Sequence, residues 1–201
     1  NNLKYTDIEK ASYELKDAIY QNGALDLLKG FGNKKFNPNG TVSKEMALYL
    51  VYMAANRIQD ITAQGQALNA LRAADQKKTA LQEVLFDGSL QLAANEGLIT
   101  QQDLADAMAA DQNSLGAGAF KRSSPVQRQE FATWLAKALM LPPAYEEQEI
   151  FNNFSDWNSI IAENAPYIEA MLQNNIMSGD ETGRFNPTKA VTREQAARIL
   201  K

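Results

Sequence analysis

The stretch Phe185-Asn186-Pro187-Thr188-Lys189-Ala190-Val191-Thr192-Arg193-Glu194 decides the fold, because the chain writes it twice. Near the front stands Phe36-Asn37-Pro38-Asn39-Gly40-Thr41-Val42-Ser43-Lys44-Glu45. Both blocks carry Phe-Asn-Pro, three further residues, then Val, a small hydroxyl residue, a cation and Glu. Working outward, Tyr5-Thr6-Asp7 answers Phe154-Ser155-Asp156, and Ala18-Ile19-Tyr20-Gln21-Asn22 answers Ala170-Met171-Leu172-Gln173-Asn174. A weaker middle copy runs through Ala94-Asn95-Glu96-Gly97-Leu98-Ile99, Phe120 and Val126-Gln127-Arg128-Gln129-Glu130-Phe131-Ala132. Matches in one fixed order mark an internal repeat, whose copies bury their apolar faces against one another.

Each copy reads as helix, loop, helix. Ile8, Ala11, Leu15 and Ala18 fall at steps of three and four, one face of a helix, and Asn22-Gly23 stops it. A loop with Gly30, Gly32, Pro38 and Gly40 follows. A second helix starts near Ser43 and puts Ala47, Leu50, Val51, Ala54, Ile58 and Ile61 on one side. The third copy repeats the plan with Tyr167, Ile168, Met171 and Leu172, then Gly179 and Gly183, then a helix opened by Thr192. Thr192-x-x-Gln195 fits a capping box, and Thr100 with Asp103 caps a short helix inside an insertion over 100–118. Ser124-Pro125-Val126-Gln127 fits another, which would start the middle helix a turn before Arg128. The expected division is repeat 1 over 1–56, a helical connector over 57–85 with a weak spot at Gly65, repeat 2 over 86–142, and repeat 3 over 143–201. Alternating patterns are too short for a sheet, so the fold class is all-α.

Composition removes many functions. The chain has 201 residues, 45% apolar and 22% charged, as an ordinary globular protein does. A net charge of −4 argues against a general nucleic-acid or membrane-surface binder. With no histidine and no cysteine, the usual general base, the triad nucleophile partners and the common zinc ligands are missing. Asp180-Glu181-Thr182-Gly183 lacks the alternating ligands and distal Glu of a calcium loop. No apolar run approaches the roughly 18 residues of a membrane span. A signal peptide is not seen, and Asn1-Asn2 reads as a mature or trimmed start. The expectation is a binding protein without catalysis, cofactor or metal.

The third copy, from Asn174-Asn175-Ile176-Met177-Ser178-Gly179-Asp180 to Val191-Thr192-Arg193-Glu194-Gln195-Ala196-Ala197, resembles the S-layer homology repeat. That family's pattern runs Phe-x-Asp, a helix with Tyr-Ile, an "NGI" turn, a "GYxDGTFxP" loop and an "ITRAEFA" helix start. The resemblance implies a pseudo-threefold bundle of three repeats with grooves between neighbours. It also implies a ligand: secondary cell wall polysaccharide, commonly with a pyruvate ketal on an amino sugar. The implied role is non-covalent anchoring of a surface protein in the extracellular wall or S-layer, leaving room for S-layer self-assembly through regions outside this chain. The alternative is a helical protein–protein interaction or assembly domain that binds no sugar.

A pyruvate ketal offers one carboxylate on a hydroxylated ring, and an arginine fork can engage both oxygens. A helix start adds backbone N–H groups and partial positive charge. The candidate ligand-binding residues are therefore Arg193, Thr192 and Gly179 in copy three, Lys44, Ser43 and Gly30 in copy one, and Arg128 and Gln127 in copy two. By motif completeness Arg193 ranks first, Lys44 second and Arg128 last. The competing reading makes the arginines solvated first-turn residues, the glycines turn formers, Phe36 and Phe185 core anchors, and Asp7 and Asp156 helix caps.

Overall fold

The computed structural model describes residues 37–200. The expectations for the front of the chain, including those for Asp7, Gly30 and Phe36, lie outside the described residues. The fold is all-helical: among the described residues there are eight α-helices, three short 3-10 turns and two isolated β-bridges, with no strand. The helices are α1 (Lys44–Ala54), α2 (Ile58–Ala70), α3 (Leu81–Asn95), α4 (Gln101–Met108), α5 (Arg128–Ala138), α6 (Gln148–Asn153), α7 (Ala165–Gln173) and α8 (Arg193–Ile199). They fall into two compact units. Among the described residues one unit holds 37–42, 125–132 and 142–200, and the other holds 43–124 and 133–141.

In the first unit, three valines far apart in the chain close a ring of backbone hydrogen bonds. Val42 N–H donates to the Val191 carbonyl at 2.9 Å, Val191 to Val126 at 3.0 Å, and Val126 back to Val42 at 2.9 Å. All three side chains are buried. Extended backbone at these positions would leave its polar groups orphaned in the interior, and the cycle satisfies one donor and one acceptor of each. The ring also corrects an expectation. The middle helix begins at Arg128 and not at Pro125, because Val126 is committed to the ring and Gln127 N–H is taken by Glu130 Oε1 at 3.0 Å.

The loops before Val42 and Val191 explain their shared sequence. Asn37 and Asn186 adopt left-handed backbone, φ 56° and 59°, a region Asn tolerates better than most residues. Their carbonyls accept from Gly40 N–H and Lys189 N–H, closing a turn around the following proline. Phe185 ahead of it is fully buried, a core anchor packed 5.7 Å from Phe154 between ring centroids. Asp156 is not a side-chain helix cap. Its two carboxylate oxygens accept from Phe185 and Asn186 N–H, both at 2.9 Å, and tie the loop to the front of its own copy.

In the second unit α2 and α3 pack at closest approach through glycines. A Cβ on Gly65 would stand 2.2 Å from the Val84 carbonyl, and one on Gly88 would stand 1.8 Å from the Ile61 carbonyl. Gly65, expected as a weak spot, is a buried packing point. Ser43 caps α1, accepting from Met46 N–H at 3.2 Å. The apolar face expected to run on from Ala54 to Ile61 is broken after Ala54. Asn56 turns left-handed (φ 59°), and Arg57 N–H reaches back to the Tyr52 carbonyl, so Ile58 and Ile61 belong to α2. Thr100 and Asp103 form the expected capping box on α4. Fully buried Asp87 is paired at 2.7 Å with both Arg72 and Arg122, and Arg122 also meets Glu45.

Candidate functional site

A groove of about 680 Å³ opens in the first unit. One wall is the segment that leaves α7. Asn175 takes left-handed backbone (φ 55°), and Ile176 N–H returns to the Met171 carbonyl at 3.0 Å, the Schellman end of a helix. Ile176, Met177, Ser178, Gly179 and Asp180 then run along the groove. The other side carries Asn186 and Lys189 from the loop and Gln195, Arg198 and Ile199 from α8. Arg128, at the start of α5, completes it.

Arg128 is held, not loose. Its Nε donates to the Phe185 carbonyl at 2.9 Å and a terminal nitrogen donates to the Ser178 carbonyl at 3.0 Å. Its guanidinium carbon lies 4.9 Å from the centroid of the Phe185 ring, a cation–π arrangement. Burial pushes its pKa below the ordinary value, opposed by the carboxylates of Asp180 and Asp156. Both its hydrogen bonds run to neutral carbonyls, so the cation is desolvated without direct carboxylate contact through them. An incoming anion would recover that loss. Lys189 and Arg198 are exposed, and Arg198 makes only a long contact to Glu194, at 3.6 Å. Among the described residues the groove therefore presents three cations against the single carboxylate of Asp180.

Asp180 is an internal brace. It accepts from Thr182 N–H and Oγ1–H, from Arg184 N–H and from Asn186 Nδ2–H, at 2.7–3.0 Å. These donors, Asn186 first, hold its carboxyl well below the usual carboxylate range. Gly183, at φ 74°, supplies the left-handed turn that the brace closes around.

The candidate residues are brought together only in part. Arg128 and Gly179 line the groove. Gly179 is required for packing, since a Cβ there would stand 2.1 Å from Phe154 Cε1. Thr192 caps α8 in the expected box with Gln195. Gln127 accepts at its side-chain oxygen from Gln129 Nε2–H at 3.0 Å. Arg193 is buried, and its backbone N–H donates to the Gly40 carbonyl at 2.8 Å. Lys44 Nζ stands 5.0 Å over the Phe120 ring, the same relation that Arg128 has with Phe185.

The helix starts differ from the expectation that their N–H groups stand open to a ligand. The first two donors of α1, α5 and α8 are all spent on loop carbonyls: Lys44 and Glu45 on Ser124 and Arg122, Arg128 and Gln129 on Lys189 and Pro187, Arg193 and Glu194 on Gly40 and Pro38. Lys189 and Asn175 lie inside the quoted repeat stretches but were not taken there as ligand-binding residues, and no quoted motif contains Arg198.

Among the described residues no cluster of three acidic, His or Cys side chains is placed to hold a metal, and no helix is long and apolar enough to cross a membrane. Helical units sharing one loop-and-cap arrangement, with a polar cationic groove, define the class as an all-helical repeat module. The family follows. Residues 4–47 and 153–197 match the model of the S-layer homology domain, so the chain carries S-layer homology domains over those two segments. No curated protein matches it. The family is one of binding and anchoring domains rather than catalysts; its members bind cell wall polymers, and the role it carries to this chain is anchoring at the cell surface.

Proposed function

We propose that this chain fastens a surface protein to the cell wall by holding an acidic secondary wall polysaccharide, a pyruvylated amino sugar in particular, in the groove at Arg128. The observation that carries the reading is the desolvated guanidinium of Arg128, fixed by two carbonyls and a ring while it faces the groove. Lys189 and Arg198 add positive charge around it. With a net charge of −4 the chain has no long-range attraction for a polyanion, so local cations must do the work.

Three repeats over 1–56, 86–142 and 143–201, with 57–85 as connector, form a pseudo-threefold bundle in this reading. The valine ring and the matching helix starts support it. Arg193 and Lys44 occupy the Arg128 position in the other two copies, and with Thr192, Ser43, Gln127, Gly179 and Gly30 they complete the proposed binding set. No bond is made or broken, and the protein works outside the cell in the wall or S-layer.

Co-sedimentation with purified walls tests this. Retention should be strong on native walls and mostly lost on walls stripped of pyruvate. Equal retention on both would remove the acidic-sugar reading, and protein left in the supernatant throughout would point to a helical assembly domain.

A further inference from the structure

Beside the groove the first unit carries an aromatic pair that neither the core nor the groove uses. Phe151, on α6, and Trp157, in the turn that follows, stand 4.7 Å apart between ring centroids at 47°, and they are 54% and 43% exposed. Two exposed rings in contact are unusual, because burying such surface is worth more than most single contacts in a small domain.

The chemistry around the pair is selective. From Ile150 to Ala162 the only charged residue is Asp156, and both its oxygens are occupied by backbone N–H groups. The exposed neighbours Asn152, Ser155, Asn158 and Ser159 are neutral hydrogen-bonding groups. An apolar platform rimmed by amides and hydroxyls matches a pyranose, whose C–H face is apolar and carries partial positive charge and whose edge is hydroxylated. Aromatic faces are negative and receive such C–H groups. A nucleic acid or lipid headgroup would call for cations here.

The platform is also continuous with the groove. Asp156, next to Trp157, is bonded to Asn186 N–H at 2.9 Å, and Asn186 lines the groove. Standard bond lengths then place the Trp157 and Asn186 α-carbons within roughly 12 Å of each other. A polymer seated at Arg128 has further sugars to spare over that distance.

We propose that Phe151 and Trp157 form a second subsite that stacks a neutral sugar of the same wall polysaccharide, next to the acidic sugar held in the groove. This rests on the anchoring reading above but uses different residues and a different part of the polymer. The test takes the full chain and purified wall polysaccharide in native and carboxyl-reduced form, the latter lacking the acidic group. The chain has two tryptophans, and Trp134 is buried, so ligand-dependent change in emission reports Trp157.

Carboxyl-reduced polymer should shift the emission of wild type and of Arg128→Ala, and leave Trp157→Ala unchanged. Trp157→Ala and Phe151→Ala should each weaken native polymer binding by about three- to tenfold at an unaltered melting temperature. If Arg128→Ala abolishes native binding while both aromatic variants bind as wild type, the groove stands and the platform falls. If no form of the polymer binds wild type, both fall. Concentration-dependent self-association that Trp157→Ala removes, with no response to sugar, would assign the pair to a second copy of the chain and overturn the subsite.

Discussion

Arg128 and Phe185 meet twice: the guanidinium lies 4.9 Å from the ring centroid, and its Nε donates to the same residue's carbonyl at 2.9 Å. The two residues lie 57 positions apart in the chain. Beside the Phe185 ring and carbonyl, the Ser178 carbonyl takes a terminal nitrogen at 3.0 Å. The remaining N–H groups keep the fork geometry that a carboxylate recognises. A side chain fixed in this way loses little entropy when a ligand arrives.

Arg128→Ala should therefore weaken binding of pyruvylated polymer about tenfold to a hundredfold, corresponding to loss of a charge-assisted contact of about 1.5–3 kcal/mol. Arg128→Lys should recover only part, because a lysine keeps charge and loses both the fork and the carbonyl contacts. Calorimetry on the two variants, each with its melting temperature checked, measures the order. A lysine variant equal to wild type would show that charge alone suffices.

How legible this was depends on where the partners lie in the chain. The boxes Thr192–Gln195 and Thr100–Asp103 close within three residues and were readable as pairs. The core-anchor reading of Phe185 was open from the sequence, and its side chain is fully buried. The standing of Arg128 was not readable, because Phe185 and Ser178 lie 57 and 50 residues away and only the fold delivers their carbonyls. The same limit hid the consumption of the helix-start N–H groups, whose acceptors lie in loops far away in the chain. Arg193, ranked first by motif, is buried, and its backbone N–H is spent on the Gly40 carbonyl, 153 positions away in the chain.

The glycine contact between α2 and α3 gives a stability test. Gly88→Ala puts a methyl group 1.8 Å from the Ile61 carbonyl, which is rigid helix backbone, so the helices must separate. Overpacking of this kind should cost about 3 kcal/mol in urea unfolding. Gly116→Ala, where a Cβ meets nothing within 4 Å, is the control and should change stability by less than about 1 kcal/mol. Equal behaviour of the two would mean that the helices are not in contact there.

Asp180 predicts a pH response. Its carboxyl is held below the ordinary range by donors that favour the ionised form, chiefly Asn186 and Thr182. A depressed folded pKa contributes stability that is present above the unfolded value and lost as pH falls through the folded one. The brace should thus remain intact at neutral pH and through mild acid, and open only below the usual carboxylate titration. Carboxyl carbon shifts in an NMR titration should show Asp180 with a midpoint below that of exposed carboxylates, moving upward in Asn186→Ala. An ordinary midpoint in wild type would remove the brace.

The valine ring predicts shared fate for three distant segments. Each of Val42, Val126 and Val191 donates to the next and accepts from the previous, at 2.9–3.0 Å, and each side chain is at most 1% exposed. Breaking one link leaves a buried donor and a buried acceptor on two other segments, so partial opening gains little over complete opening. The three amides should therefore exchange hydrogen with one common protection, close to that of global unfolding. Val191→Ala removes buried methyl groups at the ring and should lower stability by about 2 kcal/mol. Because no link opens alone, that loss should appear equally in the exchange of Val42, Val126 and residue 191. Faster exchange at one amide alone would show that its copy opens independently, and that the ring is a contact between separate units rather than a common closure.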